Sequence, residues 1–382
     1  MQRNYRRALR GALLASVSIL GAGLSQAFSA VTDYPDGSTN SSPIVLTDNT
    51  RQLQVLTGSA IQSGVISESG GSFGFEKIGN GTLILTGANT YTGGTTIGAG
   101  TLALSGVGKF GAGVINDNAA LQILTTEALS NAIVFGASSD SRISAAAGTV
   151  LSLTGDLTFN TVAGRTLYFG SSTDTGTIAV ASGNVTIGAN AGALEIAGGT
   201  LKDISTTVPQ SNFATALGKF SSVTIDSGAT LEIDSNGNGR ASNTETFIKL
   251  FGGGQLVMGG NSLPRVVLGS SNFSGKISGA GYVGIGPLDA SLPHDTIVLT
   301  GNGNNAVEFQ IGTGSTLQVG DGGTTGSLAN GGRVVGYTDS RYGSAVLKYA
   351  RSDNVTLGRF LLGSLVLQQA GDVTPESALA LR

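Results

Sequence analysis

Residues Lys77 to Gly106, KIGNGTLILTGANTYTGGTTIGAGTLALSG, decide how the rest of this chain is read. Leu83 and Leu85 alternate with Thr82, Ile84 and Thr86, the period of two of a strand that turns one face to a core. Gly87 to Gly94 follows with Gly, Asn, Thr and a Gly-Gly pair. Such residues accept left-handed backbone or bond their own main chain, so the stretch predicts a sharp corner. Thr95 to Ile97 predicts a second short strand, Gly98 to Gly100 a second corner, and Thr101 to Leu104 a third strand with Leu102 and Leu104 on one face. Three strands and two corners predict one complete coil. Strands this short cannot bury an apolar face alone, so the coil must stack on others of similar shape.

The same residues resemble the autotransporter-associated beta strand repeat. The resemblance rests on Gly81, Thr82, Leu83, Leu85, Thr86 and Gly87, then Asn89, Thr90 and Tyr91, then Gly93, Gly94 and Thr95, and finally Gly100, Thr101 and Leu102. It implies an all-β fold, a right-handed parallel β-helix forming a single elongated domain, of the kind found in passenger regions of Gram-negative type V secreted proteins. It implies a cell-surface or released protein and no one biochemical activity, because similar stems carry adhesive, structural or effector roles.

Composition agrees with a solenoid. The 382 residues include 61 Gly and 7 Pro, no Cys and no Trp, with 40% hydrophobic and 12% charged residues, so turns are frequent and a core is affordable. No Gly-x-y period runs through the chain, which excludes collagen. The apolar fraction is ordinary and the net charge only -3, which argues against disorder. Without cysteine there are no disulfides and no thiolate metal sites, a composition compatible with export through an oxidising compartment.

Residues 1–29 predict a Sec-type signal peptide. Arg3, Arg6, Arg7 and Arg10 form a basic region, Gly11 to Leu24 a short apolar one, and Ser25-Gln26-Ala27 or Ala27-Phe28-Ser29 a small-x-small cleavage site. The apolar run is too short to span a bilayer comfortably. Arg6-Arg7-Ala8-Leu9 is only a partial match to a twin-arginine signal, because Tyr5 stands where a polar residue is usual. Removing the four arginines takes the net charge from -3 to about -7. A mildly acidic chain with no basic patch or aromatic-basic interleaving gives no support to nucleic-acid binding.

Residues 30–43 predict an extended lead-in and 44–371 the β-helix. Strand patterns recur at Arg51 to Leu56, Ala120 to Leu124, Thr149 to Leu153, Thr166 to Phe169, Gly176 to Val180, Val185 to Ile187, Ala193 to Ile196, Ser222 to Ile225, Thr230 to Ile233, Arg265 to Leu268 and Thr296 to Leu299. Nearly all are bounded by Gly, Asn, Asp or Ser. Glu127 to Phe135 reads as a loop or irregular coil, and Pro209 to Phe220 has room for one helical turn. The best repeat is 77–106. A degenerate copy spans 296–320, TIVLTGNGNNAVEFQIGTGSTLQVG, where Gly303, Asn304, Asn305 and a Val307-Glu308-Phe309 run replace the Asn-Thr-Tyr and Gly-Gly-Thr corner. Upstream of each lies a matching pentapeptide, Ser63 to Ser67 and Ser274 to Ser278, which argues for duplicated blocks. At roughly 20 to 25 residues per coil the body comprises about 15 rungs, a rod on the order of 70 Å long. Gly363 to Gly371 leads toward a further repeat, but 372–382, DVTPESALALR, forms an irregular tail. No C-terminal barrel pattern of amphipathic strands with aromatic girdles is visible, so a chain truncated relative to a full autotransporter is expected. Outer-membrane association then requires a barrel supplied elsewhere, and without a translocator the protein is expected in the periplasm.

Chemical sites are sparse. His294 is the one histidine, and with no Cys it cannot build a usual zinc site; there is no GxSxG elbow for a Ser-His-Asp triad either. Asp234 to Glu245, DSNGNGRASNTE, fits the spacing of a calcium loop, with oxygens from Asp234, Asn236 and Asn238, a turn at Gly239 and a bidentate carboxylate at Glu245. Its context is a strand, Thr230 to Ile233, where a helix is usual, and Ala241 stands where a β-branched apolar residue is usual, so an ordinary polar corner is the favoured reading. Asp226, Glu232 and Asp234 invite comparison with the acidic grooves of β-helix polysaccharide lyases and hydrolases, yet a solvated outer face between inward Leu231 and Ile233 explains them equally. Tyr91, Tyr337, Tyr342 and Tyr349 offer sugar-stacking rings, with corner capping the preferred account. No catalytic residue and no cofactor other than calcium is predicted. The expected function is a non-enzymatic secreted or cell-surface stem with structural or adhesive work to do on host or neighbouring-cell components. The alternative is a carbohydrate-active parallel β-helix.

Overall fold

In the computed structural model, residues 30–370 are described apart from 138, 183, 189–190, 205–211, 235–246, 260–264, 287–293, 307, 338–342 and 354–357. The protein is a parallel β-solenoid. Its longest sheet has fifteen strands, running from Thr39–Asn40 to Leu365–Ala370, and every pairing in it is parallel to the preceding and following pass of the chain. At about 4.8 Å between neighbouring strands, that sheet is roughly 70 Å tall. Each pass but the ninth lays down a strand on a first side, then a strand of the long sheet. On passes one, two and five to eleven a third strand follows. The first side holds an eight-stranded sheet ending at Val185–Ile187 and a six-stranded sheet beginning at Phe247–Ile248. The third side holds a two-stranded sheet, Ile44–Leu46 with Ile66–Glu68, and a seven-stranded one from Glu127–Leu129 to Lys276–Gly279.

The period-two runs behave as their composition dictates. Leu83 and Leu85 of Thr82–Leu85 are fully buried, as are Leu102 of Thr101–Leu104 and Leu121 and Ile123 of Ala120–Ile123. Register places Leu83 opposite Leu102 and Leu102 opposite Leu121, so like side chains stack in columns along the axis. All sides contribute to one continuous hydrophobic cluster from Tyr34 to Leu347. Burying a leucine in such a column contributes about 1.5–3 kcal/mol, which is how three- and four-residue strands hold together when stacked.

The phase of the coil differs from the expectation. Lys77 to Gly106 is not one three-stranded turn: Thr101–Leu104 lies directly on Thr82–Leu85, with Thr101 opposite Thr82, so the two strands occupy the same side on successive passes. Likewise Thr95–Ile97 pairs with Phe75–Ile78. The repeat is therefore a two-strand turn with a step of 19 residues from Thr82 to Thr101. The corner from Gly87 to Gly94 carries the chain back to the first side without laying down a third strand. Inward leucines look alike on every side, so periodicity alone does not reveal which strand lies on which.

Two other differences concern single stretches. Glu127 to Phe135 forms two strands, Glu127–Leu129 and Ile133–Phe135. The stretch 30–43 already supplies Val31–Asp33 and Thr39–Asn40, paired to the second pass. Leu365–Ala370 completes a fifteenth strand of the long sheet against Ala345–Ala350. The expected helical turn near Phe220 is present as Asn212–Leu217, which occupies the first-side position on the ninth pass. Phe213, Ala216 and Leu217 are buried, the i, i+3, i+4 spacing of one helical face. Phe213 joins Phe135, Phe159, Phe169 and Phe220 in an aromatic cluster in which Phe135 and Phe159 stack at 5.2 Å.

Candidate functional site

The most elaborate side-chain chemistry lies at the corners where the third side stops. In the corner after Thr82–Leu85, Asn89 is buried; its Oδ1 accepts from the backbone N–H of Ile66 at 2.7 Å and its Nδ2 donates to the carbonyl of Lys109 at 2.8 Å. The next residue, Thr90, donates its N–H to the Ile66 carbonyl at 2.9 Å. Ile66 belongs to the last strand of the two-stranded sheet, so Asn89 satisfies the peptide edge that a further strand would otherwise cover. Tyr91 is fully buried beside it, edge-on to Phe75 at 5.5 Å, with its hydroxyl 2.5 Å from that of Thr95. Burial pushes the Tyr91 phenol up to about 12, so it stays neutral. Its ring fills core and offers no face to a sugar.

The same device recurs in the degenerate copy, although the sequence comparison placed nothing of the corner there. Asn304 is fully buried; its Oδ1 accepts from Ile277 N–H at 2.8 Å, its Nδ2 donates to the Gly301 carbonyl at 2.6 Å, and Asn305 N–H donates to the Ile277 carbonyl at 2.8 Å. Ile277 lies in the last strand of the seven-stranded sheet. The corner asparagine has thus survived, shifted by one residue: it follows Gly87 by two positions and Gly301 by three. Ile66 and Ile277 are the fourth residues of the two matching pentapeptides, which explains the echo between them.

Lys77, Arg359 and Asp117 are among the charged groups sunk in the body. Lys77 is fully buried and its Nζ donates to the carbonyls of Ile78, Gly79 and Ala99 at 3.0, 2.8 and 3.0 Å; burial lowers its amine to about 8. Arg359 donates to the carbonyls of Ala329 and Ala306 and to Asn305 Oδ1 at 2.9, 3.0 and 3.0 Å, and its guanidinium lies 5.0 Å from the centre of the Phe309 ring. Burial lowers its basicity too. Asp117 is fully buried, with Oδ1 accepting from Ala119 N–H at 3.1 Å and Oδ2 without a hydrogen-bond partner; burial raises its carboxyl to about 7. These groups serve backbone corners, and they do not converge on one cleft.

The sequence-predicted candidates are dispersed. Glu232 faces outward between buried Leu231 and Ile233 and pairs with Lys202 of the preceding pass at 2.6 Å. Asp226 lies at the following corner of another sheet, where its charge adds to burial in raising Glu195. The side chain of Asp234, and Asn236, Asn238 and Glu245 entire, lie outside the described residues, as does Tyr342. His294 is exposed, with Nδ1 3.0 Å from the Thr313 carbonyl; its neighbour Asp295 accepts from Ser270 N–H at 2.8 Å and Ser270 Oγ at 2.6 Å. A triad is not assembled by these atoms. Tyr349 packs against the core, with its phenol raised by burial, whereas Tyr337 is exposed. Among the described residues no group of three or more His, Cys, Asp or Glu is placed to hold a metal, and no helix is long and apolar enough to cross a membrane.

The outer face of the long sheet carries a polar network that sequence reading missed. Asp174 accepts from Gln122 Nε2 at 3.0 Å and Ser144 Oγ at 2.9 Å, while Arg142 lies 4.5 Å from the Tyr168 ring centre and donates to the Gly170 carbonyl. The partners lie 26 to 52 residues apart, a distance over which no local motif announces them.

Residues 75–104 match the passenger-associated-transport-repeat family. The matched stretch holds two successive passes, Phe75–Ile78 with Thr82–Leu85 and Thr95–Ile97 with Thr101–Leu104, joined by the Asn89 and Tyr91 corner. No curated protein and no solved structure was found to match the chain.

Proposed function

We propose that this chain is an exported, passenger-like stem whose work is structural or adhesive, carried out at the cell surface or after release. The observation that carries the reading is the family repeat at 75–104, set in a rod with a sheet of fifteen parallel strands, where buried Asn89 and Lys77 serve backbone corners. A stem needs stacked rungs and tolerates loop variation, whereas catalysis needs groups converging on a reacting centre. Glu232, the carboxylate best placed for sugar chemistry by sequence, is held by Lys202, which supports a solvated outer face in preference to a lyase or hydrolase groove.

The test is to express the full chain with residues 1–382 in a Gram-negative host and fractionate the cells. Loss of 1–29 from the mature protein, recovery outside the cytoplasm and saturable binding to cells or matrix support the reading. Retention of the intact chain in the cytoplasm, or turnover of any polysaccharide in a panel, overturns it. Calcium at Asp234, Asn236, Asn238 and Glu245 is tested separately by calorimetric titration, where absence of heat at millimolar metal removes that site.

A further inference from the structure

Asp117 differs from Lys77 and Arg359 in keeping a buried side-chain oxygen without a partner. It ends the strand Ile115–Asp117, points inward, and lies between Ile97 of the preceding pass and Phe135 of the next in one column of side chains. One carboxyl oxygen closes a two-residue turn by accepting from Ala119, and the other is buried with no donor to receive. A carboxylate placed so has lost its water and gained one neutral hydrogen bond, whereas a carboxylic acid there has no charge to desolvate.

Among the described residues no neighbouring element supplies a compensating cation. Thr95–Ile97 presents Thr95 and Ile97 inward, Ile133–Phe135 presents Ile133 and Phe135, and Ala120–Ile123 presents Leu121 and Ile123. On Ser141–Ala145, Ser141 Oγ donates to the Asp117 backbone carbonyl, while Arg142 points outward to Tyr168. Asp140, at the adjoining corner, accepts from Thr166 N–H. Lys77 shares the inward column but stands two passes away, beyond Ile97, with its ammonium committed to three carbonyls.

We propose that Asp117 makes the fifth pass of the solenoid a pH-responsive element: uncharged and tightly packed in acid, and loosened when the buried carboxyl ionises. The sign follows from linkage. The folded carboxyl holds its proton to a higher pH than the unfolded one, so stability is fully present below about pH 4 and is lost as pH rises toward 7. With a ceiling of tenfold per unit, the opening equilibrium of this pass rises up to about a thousandfold across that window.

The experiment is hydrogen exchange by mass spectrometry on the full chain at pH 5 and pH 8, corrected for intrinsic exchange. Peptides covering 95–135 should lose protection at pH 8 by at least tenfold more than those covering 296–320. Asp117→Asn should abolish that excess while keeping the Ala119 turn. Asp117→Leu, which removes the turn as well, should also be insensitive to pH although weaker at pH 5. An unchanged pH excess in both variants overturns the proposal. So does a wild-type chain whose 95–135 peptides are equally protected at both pH values.

Discussion

The corners that end the third side at Asn89 and at Asn304 solve one problem with different amounts of sequence. Around Asn89 the family pattern is intact, with Tyr91 buried beneath it, while the buried cation of these passes, Lys77, serves the opposite corner at Gly79 and Ala99. Around Asn304 only the asparagine and the preceding Gly301 remain of that pattern; Phe309 provides the ring and Arg359, from two passes later, the cation. What is kept in both is the amide that satisfies a peptide edge, because an unpaired N–H in a dry core costs about 1–3 kcal/mol whatever surrounds it. What varies is space-filling, which tolerates exchange of one apolar group for another.

Gly87 and Gly301 should show the largest contrast. A methyl added at Gly301 would meet the Gly275 carbonyl oxygen at 1.7 Å, whereas one added at Gly87 meets that of Gly64 at 2.9 Å. Gly301→Ala is expected to cost about 3 kcal/mol or more and Gly87→Ala about 1 kcal/mol, measured as shifts in urea midpoint by circular dichroism. Equal costs would mean that the two corners approach their neighbours equally closely. Next come Asn304→Ala and Asn89→Ala, each leaving a buried isoleucine N–H without its acceptor, at about 2–3 kcal/mol. Hydrogen exchange should localise the first loss to Ile277 and the second to Ile66.

The cations separate the two regions by pH. Burial lowers the Lys77 amine to about 8, below its unfolded value, so the folded state binds fewer protons from there to the ordinary lysine range. Stability of the matched passes should therefore rise as pH increases from 8 to about 10, by ~1–3 kcal/mol, and Lys77→Met should remove the rise. Arg359 stays protonated throughout, so the passes around Asn304 should show no such slope. The smallest effect is expected from Tyr91→Phe, about 1 kcal/mol for the lost contact with Thr95, read from the same urea midpoints.

These differences also mark how far the sequence could be read. Strands such as Thr166–Phe169 and Arg265–Leu268 are legible to the residue because short apolar runs rich in β-branched and aromatic residues and punctuated by Gly and Pro have few other conformations. The stacking phase is not, since Leu83, Ile97 and Leu102 look alike and only the register of pairing distinguishes same side from next side. Asn304 escaped because a one-residue shift breaks alignment with Asn89 while keeping the two hydrogen bonds to the isoleucine peptide. Lys77, Asp117 and Arg359 escaped for another reason: charged residues are normally placed outside, and only tertiary closure buries them.

The short helix Asn212–Leu217 sets the mechanics of the rod. The long sheet and the third-side sheet run unbroken through the ninth pass, but on the first side the eight-stranded sheet has ended and the six-stranded one has not begun. In engineering terms this is a beam with one of its three flanges cut. The backbone ladder crosses that level on two sides only, and on the first side the gap is filled by the buried helical face of Phe213, Ala216 and Leu217.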